Sequence, residues 1–354
     1  MTDLRFVTVN KSDPKFRNYL MGTVQPNLRP VPAKSLNVGR SDELVTFEMK
    51  SISEIQKPSL LVRVSEILKV KSYILILFPL SFVLEKNIAA NKFYDPLSLT
   101  FAVISLLFIY GGLNMRNDVA DHISGFDRVN TAVRLKPINA GWITAAQLSR
   151  LSWLAIGLGV LLALPVLLLQ FETWKIVAVS SPLIVAGQFL QKNSYKEKWF
   201  GELVLFFLMG IGVAAGFQLA MGAGIDAQII AFGLFWGSVV VFLMHVNNFS
   251  HLMTSTQAGI KNSITKLGFD RSKIFLAIWW SACLFLWTWF HFTFATGIWK
   301  WLGSACLLVA TIPFFMLLFQ TRSPIGSDSV YFRVWAYRMF AFLVFLFYIE
   351  LVWN

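Results

Sequence analysis

The amino-acid sequence predicts an all-α, polytopic membrane protein. The chain has 354 residues, of which 56% are hydrophobic and only 14% are charged, whereas soluble globular proteins carry about 25% charged residues. The apolar residues are also gathered into long runs, and each run approaches the ~20 residues that a helix needs to cross the hydrocarbon layer. These observations exclude an ordinary soluble domain.

Nine apolar runs are separated by more polar segments, and each run is predicted to form one transmembrane helix. In chain order the predicted spans are 67–84, 97–118, 143–168, 174–190, 201–221, 228–248, 273–291, 298–319 and 331–352. An odd number of crossings places the two ends of the chain on opposite sides of the membrane.

Residues 1–60 differ in composition from the rest of the chain. They are polar, carry both signs of charge, contain Pro26, Pro30 and Pro32, and show no clear period. We expect a flexible or surface-lying extension without chemistry of its own, and residues 61–354 are predicted to form the membrane domain.

The formal net charge of +12 could suggest a nucleic-acid partner, but the placement of the charges argues against one. Of the 31 Lys and Arg residues, 27 lie on one side of the predicted bundle, in the N-terminal extension and around the loops after spans two, four, six and eight. This bias is typical of cytoplasmic loops. The sequence therefore predicts a multi-pass protein of a bacterial-type plasma membrane with a cytoplasmic N-terminus. Most of its basic residues are expected to set topology or to contact lipid headgroups.

An acidic motif lies at the end of the second predicted span. Asn114, Asp118 and Asp121 are spaced i, i+4 and i+7, so they share one face of a helix. Gly125 allows the chain to leave the helix, so that Asp127 can return toward the same place. Oxygen ligands gathered in this way suit Mg²⁺, which binds one or two carboxylates together with substrate phosphates.

The alternative for this motif is a helix cap followed by solvated loop charges. Asp and Asn favour helix N-termini, however, and this is a C-terminal end, where the helix dipole disfavours anions. Three acids here therefore need cations nearby. Arg128, Arg134 and Lys136 follow directly and could bind a diphosphate that is also held by the metal, although they could equally serve as topology anchors.

The two motifs resemble those of the UbiA superfamily of intramembrane prenyltransferases. The patterns N-x-x-N-D-x-x-D-x-x-x-G-x-D and R-x-K-P-x-x-x-G-x-I are most similar to the dihydroxynaphthoate (menaquinone-pathway) branch, and the resemblance covers most of residues 67–354. Lys69 stands in the basic segment that begins the family's first helix. The resemblance implies nine helices bundled around a central cavity.

The same resemblance assigns site residues. Asp118, Asp121 and Asp127 would be metal ligands, and Asn114 and Asn117 would contact metal-bound water or phosphate. The strongest candidate for a diphosphate contact is Arg128, followed by Arg134, Lys136, Lys69 and Lys261.

The family's second acidic motif is altered in this chain. The segment from Asn247 and Asn248 to Gly268 aligns without a gap, but His251 and Ser255 stand where the family has two Asp residues. Asn247, His251 and Ser255 would still form a polar stripe at i, i+4 and i+8. A single Mg²⁺ could suffice, because the loss of two carboxylates offsets the loss of one divalent ion. His251 would then contact the diphosphate as a neutral donor or as an imidazolium.

The leading functional hypothesis is Mg²⁺-dependent transfer of a polyprenyl group from its diphosphate to an aromatic, quinone-precursor-like acceptor. The alternative is a non-catalytic relative that binds a prenyl lipid or a quinone. A transporter is less favoured, because the two halves show no matching pair of helices broken by Gly or Pro.

Overall fold

The computed structural model describes residues 5–91, 95–129, 136–188, 199–294, 297–324 and 327–353. Within these residues the protein is mainly helical, and a small sheet precedes the membrane helices. The prediction of a polytopic helical protein is confirmed.

Of the two alternatives for the N-terminal extension, flexible or surface-lying, the flexible one is wrong, because the extension is folded. Strands β1 (Phe6–Asn10), β2 (Leu28–Leu36) and β3 (Leu44–Ser51) form an antiparallel sheet in the order β1-β3-β2, and helix α1 (Phe16–Met21) follows β1. The sheet and α1 enclose a small apolar core. Its buried side chains are Val9, Phe16, Leu20, Val45 and Phe47.

Two of the three prolines that suggested an irregular segment lie on an edge strand. Pro30 and Pro32 belong to β2, at the border of the sheet, and the strand is irregular between Pro32 and Lys34. Edge strands tolerate proline because one side of the backbone needs no partner for an N–H group. On the central strand β3, Val45 and Phe47 alternate with more exposed residues. Two inward positions are too few to give a clear period in the sequence.

The helices of the membrane domain follow in sequence. They are α2 (Leu60–Leu68), α3 (Ile74–Ala89), α4 (Pro96–Ser124), α5 (Phe126–Val129), α6 (Ala145–Leu169), α7 (Thr173–Gln188), α8 (Trp199–Phe207), α9 (Val213–Ala220), α10 (Ala227–Ser250), α11 (Leu252–Gln257), α12 (Ser263–Phe294), α13 (Trp299–Gln320) and α14 (Ser327–Trp353). A 3₁₀ turn, Val70–Tyr73, precedes α3, and a π-helical turn, Leu208–Gly212, joins α8 to α9.

Eight helical segments in the described part of the chain are long and apolar enough to cross a membrane, and they match eight of the nine predicted spans. The remaining predicted span, 174–190, corresponds to α7. Its apolar part, Thr173–Val185, is shorter than the ~20 residues that a crossing requires, and residues 189 and 190 lie outside the described residues. The predicted count of nine is therefore not confirmed.

Helix α10 is the most enclosed of the spans. In its apolar window 83% of the residues are buried, compared with 22–56% in the other spans. The π-helical turn approaches it closely: a Cβ atom on Gly210 would lie 2.3 Å from the carbonyl oxygen of Gly233. Such backbone contact between membrane helices requires small residues. Val246, Asn248 and Phe249 near the C-terminal end of α10 are buried as well, so this end lies in the interior of the bundle.

Helix α4 reaches the same end of the bundle. Its 29 residues correspond to about 43 Å, more than the ~30 Å hydrocarbon layer. The helix packs along α6, and its last turns carry the first acidic motif.

Candidate functional site

The first acidic motif is built from the end of α4 and the short helix α5. Asp118 and Asp121 are 2% and 5% exposed, and Asp127 on α5 is 4% exposed. Between the helices, Gly125 adopts a left-handed conformation with φ of 92°. The predicted change of direction at Gly125 is confirmed, and it brings the third carboxylate beside the first two.

The three carboxylates meet at the side chain of Lys136. Its Nζ atom lies 2.7 Å from Oδ1 of Asp127, 3.4 Å from Oδ2 of Asp121 and 3.4 Å from Oδ1 of Asp118. Asp118 Oδ1 also lies 2.7 Å from Nζ of Lys69, which precedes α3. We refer to these five residues as the acid–lysine cluster. Its formal charge is −1, so the cluster as a whole favours a further cation.

The pKa values of Asp127 and Lys136 within the cluster depend on burial and on nearby charges. Burial, together with the nearby charges of Asp121 and Asp118, raises the pKa of Asp127 to about 6, against the lowering effect of Lys136. Burial alone would lower the pKa of Lys136, but the three carboxylates outweigh it and raise this pKa above its usual value. Lys136 therefore stays charged at neutral pH.

The chemistry of the cluster fits Mg²⁺. One oxygen of Asp127, Oδ2, is buried without a hydrogen-bond partner, so it is free to accept a cation. Among the described residues no three His, Cys, Asp or Glu side chains are grouped to hold a metal ion by themselves. Mg²⁺ does not need such a group, since it commonly takes one or two carboxylates and completes its shell with water and phosphate oxygens.

Arg128 occupies a different place from the one expected. Its guanidinium donates to Oε1 of Glu43 at 2.6 Å and to the carbonyl oxygen of His122 at 2.5 Å. The side chains of Arg128 and Glu43 are each 1% exposed. The observed position of Arg128 thus differs from the sequence prediction, in which its guanidinium contacts a diphosphate directly. Lys136, ranked lower from the sequence, lies among the carboxylates instead.

The other predicted residues of the first motif are distributed around the cluster. Asn114 donates to the hydroxyl of Ser72 at 3.2 Å, which ties α4 to the 3₁₀ turn before α3. Asn117 is 8% exposed. The candidate Arg134 lies outside the described residues.

The second motif lies at the end of α10 and continues into α11. His251 interrupts the helix with φ of −111° and ψ of 19°. The helical spacing is nevertheless kept, because the amide of His251 donates to the carbonyl of Asn247 and the amide of Ser255 donates to the carbonyl of His251. Ser255 is 3% exposed, and Lys261 is exposed in the loop before α12.

The structure brings the two motifs together. Helix α5 packs against α11, and the rings of Phe126 and His251 meet edge to face with centroids 5.9 Å apart. The Nζ atom of Lys136 lies 6.0 Å from the centre of the same Phe126 ring. The acid–lysine cluster and His251 are thus separated by one aromatic side chain.

Arg333 on α14 was missed by the sequence analysis. Its guanidinium lies 3.1 Å from Nε2 of His251 and 3.4 Å from the hydroxyl of Ser250. A guanidinium only donates hydrogen bonds, so Nε2 is the acceptor and the proton is on Nδ1. With this contact as a hydrogen bond, His251 is neutral, which corresponds to the neutral-donor alternative. An arginine within an otherwise apolar span is the signal that could have identified Arg333.

Glu43 was also missed. Glu43 lies in the N-terminal extension, for which the sequence predicts no chemistry. Because that segment is polar and of mixed charge, its sequence does not indicate that an acidic residue within it is buried.

A known protein family matches most of the chain. The model of the UbiA prenyltransferase family matches residues 76–344. No curated protein matches the chain.

Solved structures show the same fold. A structure from a study of digeranylgeranylglyceryl phosphate synthase aligns with a TM-score of 0.57 and 18% identity, covering 82% of this chain and 98% of the other. A UbiA homologue from Archaeoglobus fulgidus bound to GPP and Mg²⁺ aligns with a TM-score of 0.55 and 13% identity, covering 79% and 99%. The same homologue bound to DMAPP and Mg²⁺ gives 0.54 and 14%, with the same coverage.

Proposed function

Because the chain belongs to the UbiA prenyltransferase family, we propose that it transfers a polyprenyl group from a polyprenyl diphosphate to an aromatic, quinone-precursor-like acceptor in the membrane. One observation carries this proposal: three carboxylates converge on Lys136 at the end of a membrane helix. Ionisable groups in such positions are costly and usually functional. The GPP, DMAPP and Mg²⁺ bound by the Archaeoglobus fulgidus homologue support a prenyl diphosphate as substrate and Mg²⁺ as cofactor.

The acid–lysine cluster is suited to stabilise a departing diphosphate. Asp118, Asp121 and Asp127 would hold Mg²⁺, which when bound supplies positive charge to the phosphate oxygens. Lys69 and Lys136 donate charge-assisted hydrogen bonds to the same leaving group. Asn114, Asn117, Arg134 and Lys261 are also proposed contacts of the substrate.

Water must be kept from the allylic carbon, because it would compete with the aromatic acceptor. The ring of Phe126, between Lys136 and His251, covers one side of the cluster with an apolar surface. As the carbon–oxygen bond to the diphosphate breaks, the acceptor carbon forms the new bond, and its proton passes to the departing diphosphate.

On the side of the second motif we propose that no second metal is needed. His251 and Ser255 carry no negative charge that would require one. Arg333 supplies a positive charge there, and in the described residues its partners, Ser250 and His251, are both neutral. Asn247, the Nδ1–H group of His251 and the hydroxyl of Ser255 are proposed donors to the substrate.

The proposal is tested with purified protein in lipid nanodiscs. The protein is given Mg²⁺, geranyl diphosphate and a panel of aromatic acceptors that includes dihydroxynaphthoate, and diphosphate release and the prenylated product are measured. We expect both products with at least one acceptor. Absence of release at every Mg²⁺ concentration and with every acceptor would contradict catalysis.

A second candidate function is non-catalytic binding of a prenyl lipid or a quinone. It is favoured by the neutral residues at positions 251 and 255, and by the pairing of all three carboxylates with lysines. In the same experiment this function predicts that geranyl diphosphate is bound and recovered intact.

A further inference from the structure

We propose that Glu43 of the N-terminal sheet is a positioning residue for the acid–lysine cluster. By neutralising the buried Arg128, it fixes the turn that presents Asp127. The consequence for turnover rests on the proposed function, whereas the consequence for the turn does not.

The Glu43 carboxylate is held at both oxygens. Oε1 accepts from Arg128 at 2.6 Å, while Oε2 lies 3.1 Å from Nζ of Lys11 and accepts from the amide of Gly39 at 3.2 Å. Lys11, Gly39 and Glu43 all belong to the N-terminal sheet or its connections. The carboxylate is therefore fixed relative to the sheet.

Arg128 connects the fixed Glu43 carboxylate to the acid–lysine cluster. It directly follows Asp127 on α5, and its second hydrogen bond goes to the carbonyl of His122, in the last turn of α4. The guanidinium thus joins the end of α4, which carries Asp118 and Asp121, to the helix that carries Asp127. The distances among the three carboxylates depend on this connection.

Further contacts hold the N-terminal sheet on the same turn. Nε2 of His122 lies 3.0 Å from the carbonyl oxygen of Leu20 at the end of α1. A Cβ atom on Gly125 would lie 2.4 Å from Val38, in the connection between β2 and β3. The N-terminal sheet and α1 therefore contact residues 122–128, a segment that includes one of the three acids.

Loss of the Glu43 charge would leave a buried guanidinium without a counter-ion. Removing one partner of a buried pair is strongly unfavourable, because the remaining charge is not compensated. The turn can relieve this only by moving Arg128 toward water, and Asp127 moves with it. Loss of Glu43 should therefore loosen the acid–lysine cluster, although Glu43 does not touch it.

The test uses Glu43→Gln, which keeps the shape of the side chain and removes its charge. The control is Glu48→Gln on β3, whose ion pairs with Arg5 and Lys50 lie at the surface. Glu43→Gln combined with Arg128→Gln removes both buried charges, so it remains informative if the single variant does not fold. For each variant we measure hydrogen exchange of residues 122–129 without substrate, the Tm, and kcat and KM for geranyl diphosphate with Mg²⁺.

We expect Glu43→Gln to accelerate exchange in residues 122–129 by at least ~10-fold and to raise KM by a similar factor, while Glu48→Gln matches the wild type. The double variant should recover the Tm but neither the slow exchange nor the KM. The proposal is overturned if exchange is unchanged in Glu43→Gln, or if the double variant recovers all three properties, since Glu43 would then act on stability alone. If the wild type shows no turnover, the exchange measurement alone decides.

Discussion

Lys136 determines the charge balance of the site, because its ammonium lies within 3.4 Å of all three carboxylates. Its pKa is raised by those carboxylates, so it is a permanent cation at neutral pH. Removing that charge changes the affinity of the cluster for anions and for cations in opposite directions.

We therefore expect Lys136→Gln to weaken binding of geranyl diphosphate by ~10–100-fold, because a hydrogen bond to a charged group usually contributes that much to affinity. Half-maximal binding of Mg²⁺ should shift to lower concentration, since the carboxylates lose a competing cation. Calorimetric titrations with Mg²⁺ and with geranyl diphosphate measure both effects, and Lys50→Gln on the sheet surface is the control. Parallel weakening of both ligands would contradict this charge balance.

The neutral residues of the second motif give a different prediction. His251→Asp combined with Ser255→Asp adds two negative charges beside a diphosphate, which repel it unless a second Mg²⁺ enters. Diphosphate release should fall at low Mg²⁺ and recover at high Mg²⁺. Thr256→Asp, an added charge on an exposed position of α11, should not change the Mg²⁺ dependence. A double variant that is more active at every Mg²⁺ concentration would mean that the wild type is a decayed enzyme.

Residue spacing predicted part of this site. Asp118 and Asp121 lie on one continuous helix, so their common face follows from the helical period. The sequence could not show that Lys136 rather than Arg128 meets the carboxylates. Both residues follow α4 within reach, and the choice depends on Glu43, which lies 85 positions before Arg128. Arg333 is likewise 82 positions from its partner His251.

At the scale of elements, the turn between α4 and α5 is the most constrained feature of the site. Gly125 has φ of 92°, and a Cβ atom there would meet Val38 at 2.4 Å and Arg128 at 2.9 Å. A side chain at this position therefore adds a collision to the cost of a left-handed backbone, which is about 1–2 kcal/mol for other residues.

Gly125→Ala should lower the Tm more than Gly297→Ala does. Gly297 also has a positive φ, 59°, but an added Cβ there meets no atom within 4 Å, so this control carries the backbone cost alone. Thermal unfolding of both variants in the same detergent measures the difference. Equal Tm values for the two variants would show that the N-terminal sheet does not restrict this turn sterically.

The small sheet shows why some elements could not be predicted. The spans were recognisable because each gathers about 20 apolar residues. The sheet has only a few inward-facing side chains on each strand, and its prolines lie on an edge where they cost little. Its stability comes from contacts between distant residues, such as Val9 with Phe47 in one core, which local composition does not reveal.

At the scale of the whole molecule, the positions of the helix ends define two sides. Gln170, just after α6, donates to Asp95 at the start of α4, and this side is opposite to the acidic motifs. Glu202, near the start of α8, lies 3.8 Å from His245, close to the second motif. The start of α4 and the start of α8 therefore lie on opposite sides of the bundle.

The distribution of basic residues predicts that the motif side is cytoplasmic. We expect Glu172→Cys, between α6 and α7, to react in intact cells with a maleimide that cannot cross the membrane. Ser53→Cys, just after β3, should react only after permeabilisation. Cys283 and Cys306 are replaced by Ala in both variants to remove the native thiols. The reverse labelling pattern would contradict the assigned orientation.

The central claim is that the acid–lysine cluster is a Mg²⁺-dependent site for a prenyl diphosphate. Its most direct test is a Mg²⁺ titration of diphosphate release by the wild type and by Asp118→Ala, with Asp270→Ala as a control at an exposed aspartate. Metal-held charge is worth several kcal/mol, so we expect Asp118→Ala to lose at least ~100-fold in turnover at every Mg²⁺ concentration. The wild type and Asp270→Ala should lose activity on chelation and regain it with Mg²⁺. Turnover by Asp118→Ala close to that of the wild type, or wild-type turnover that survives chelation, would contradict the claim.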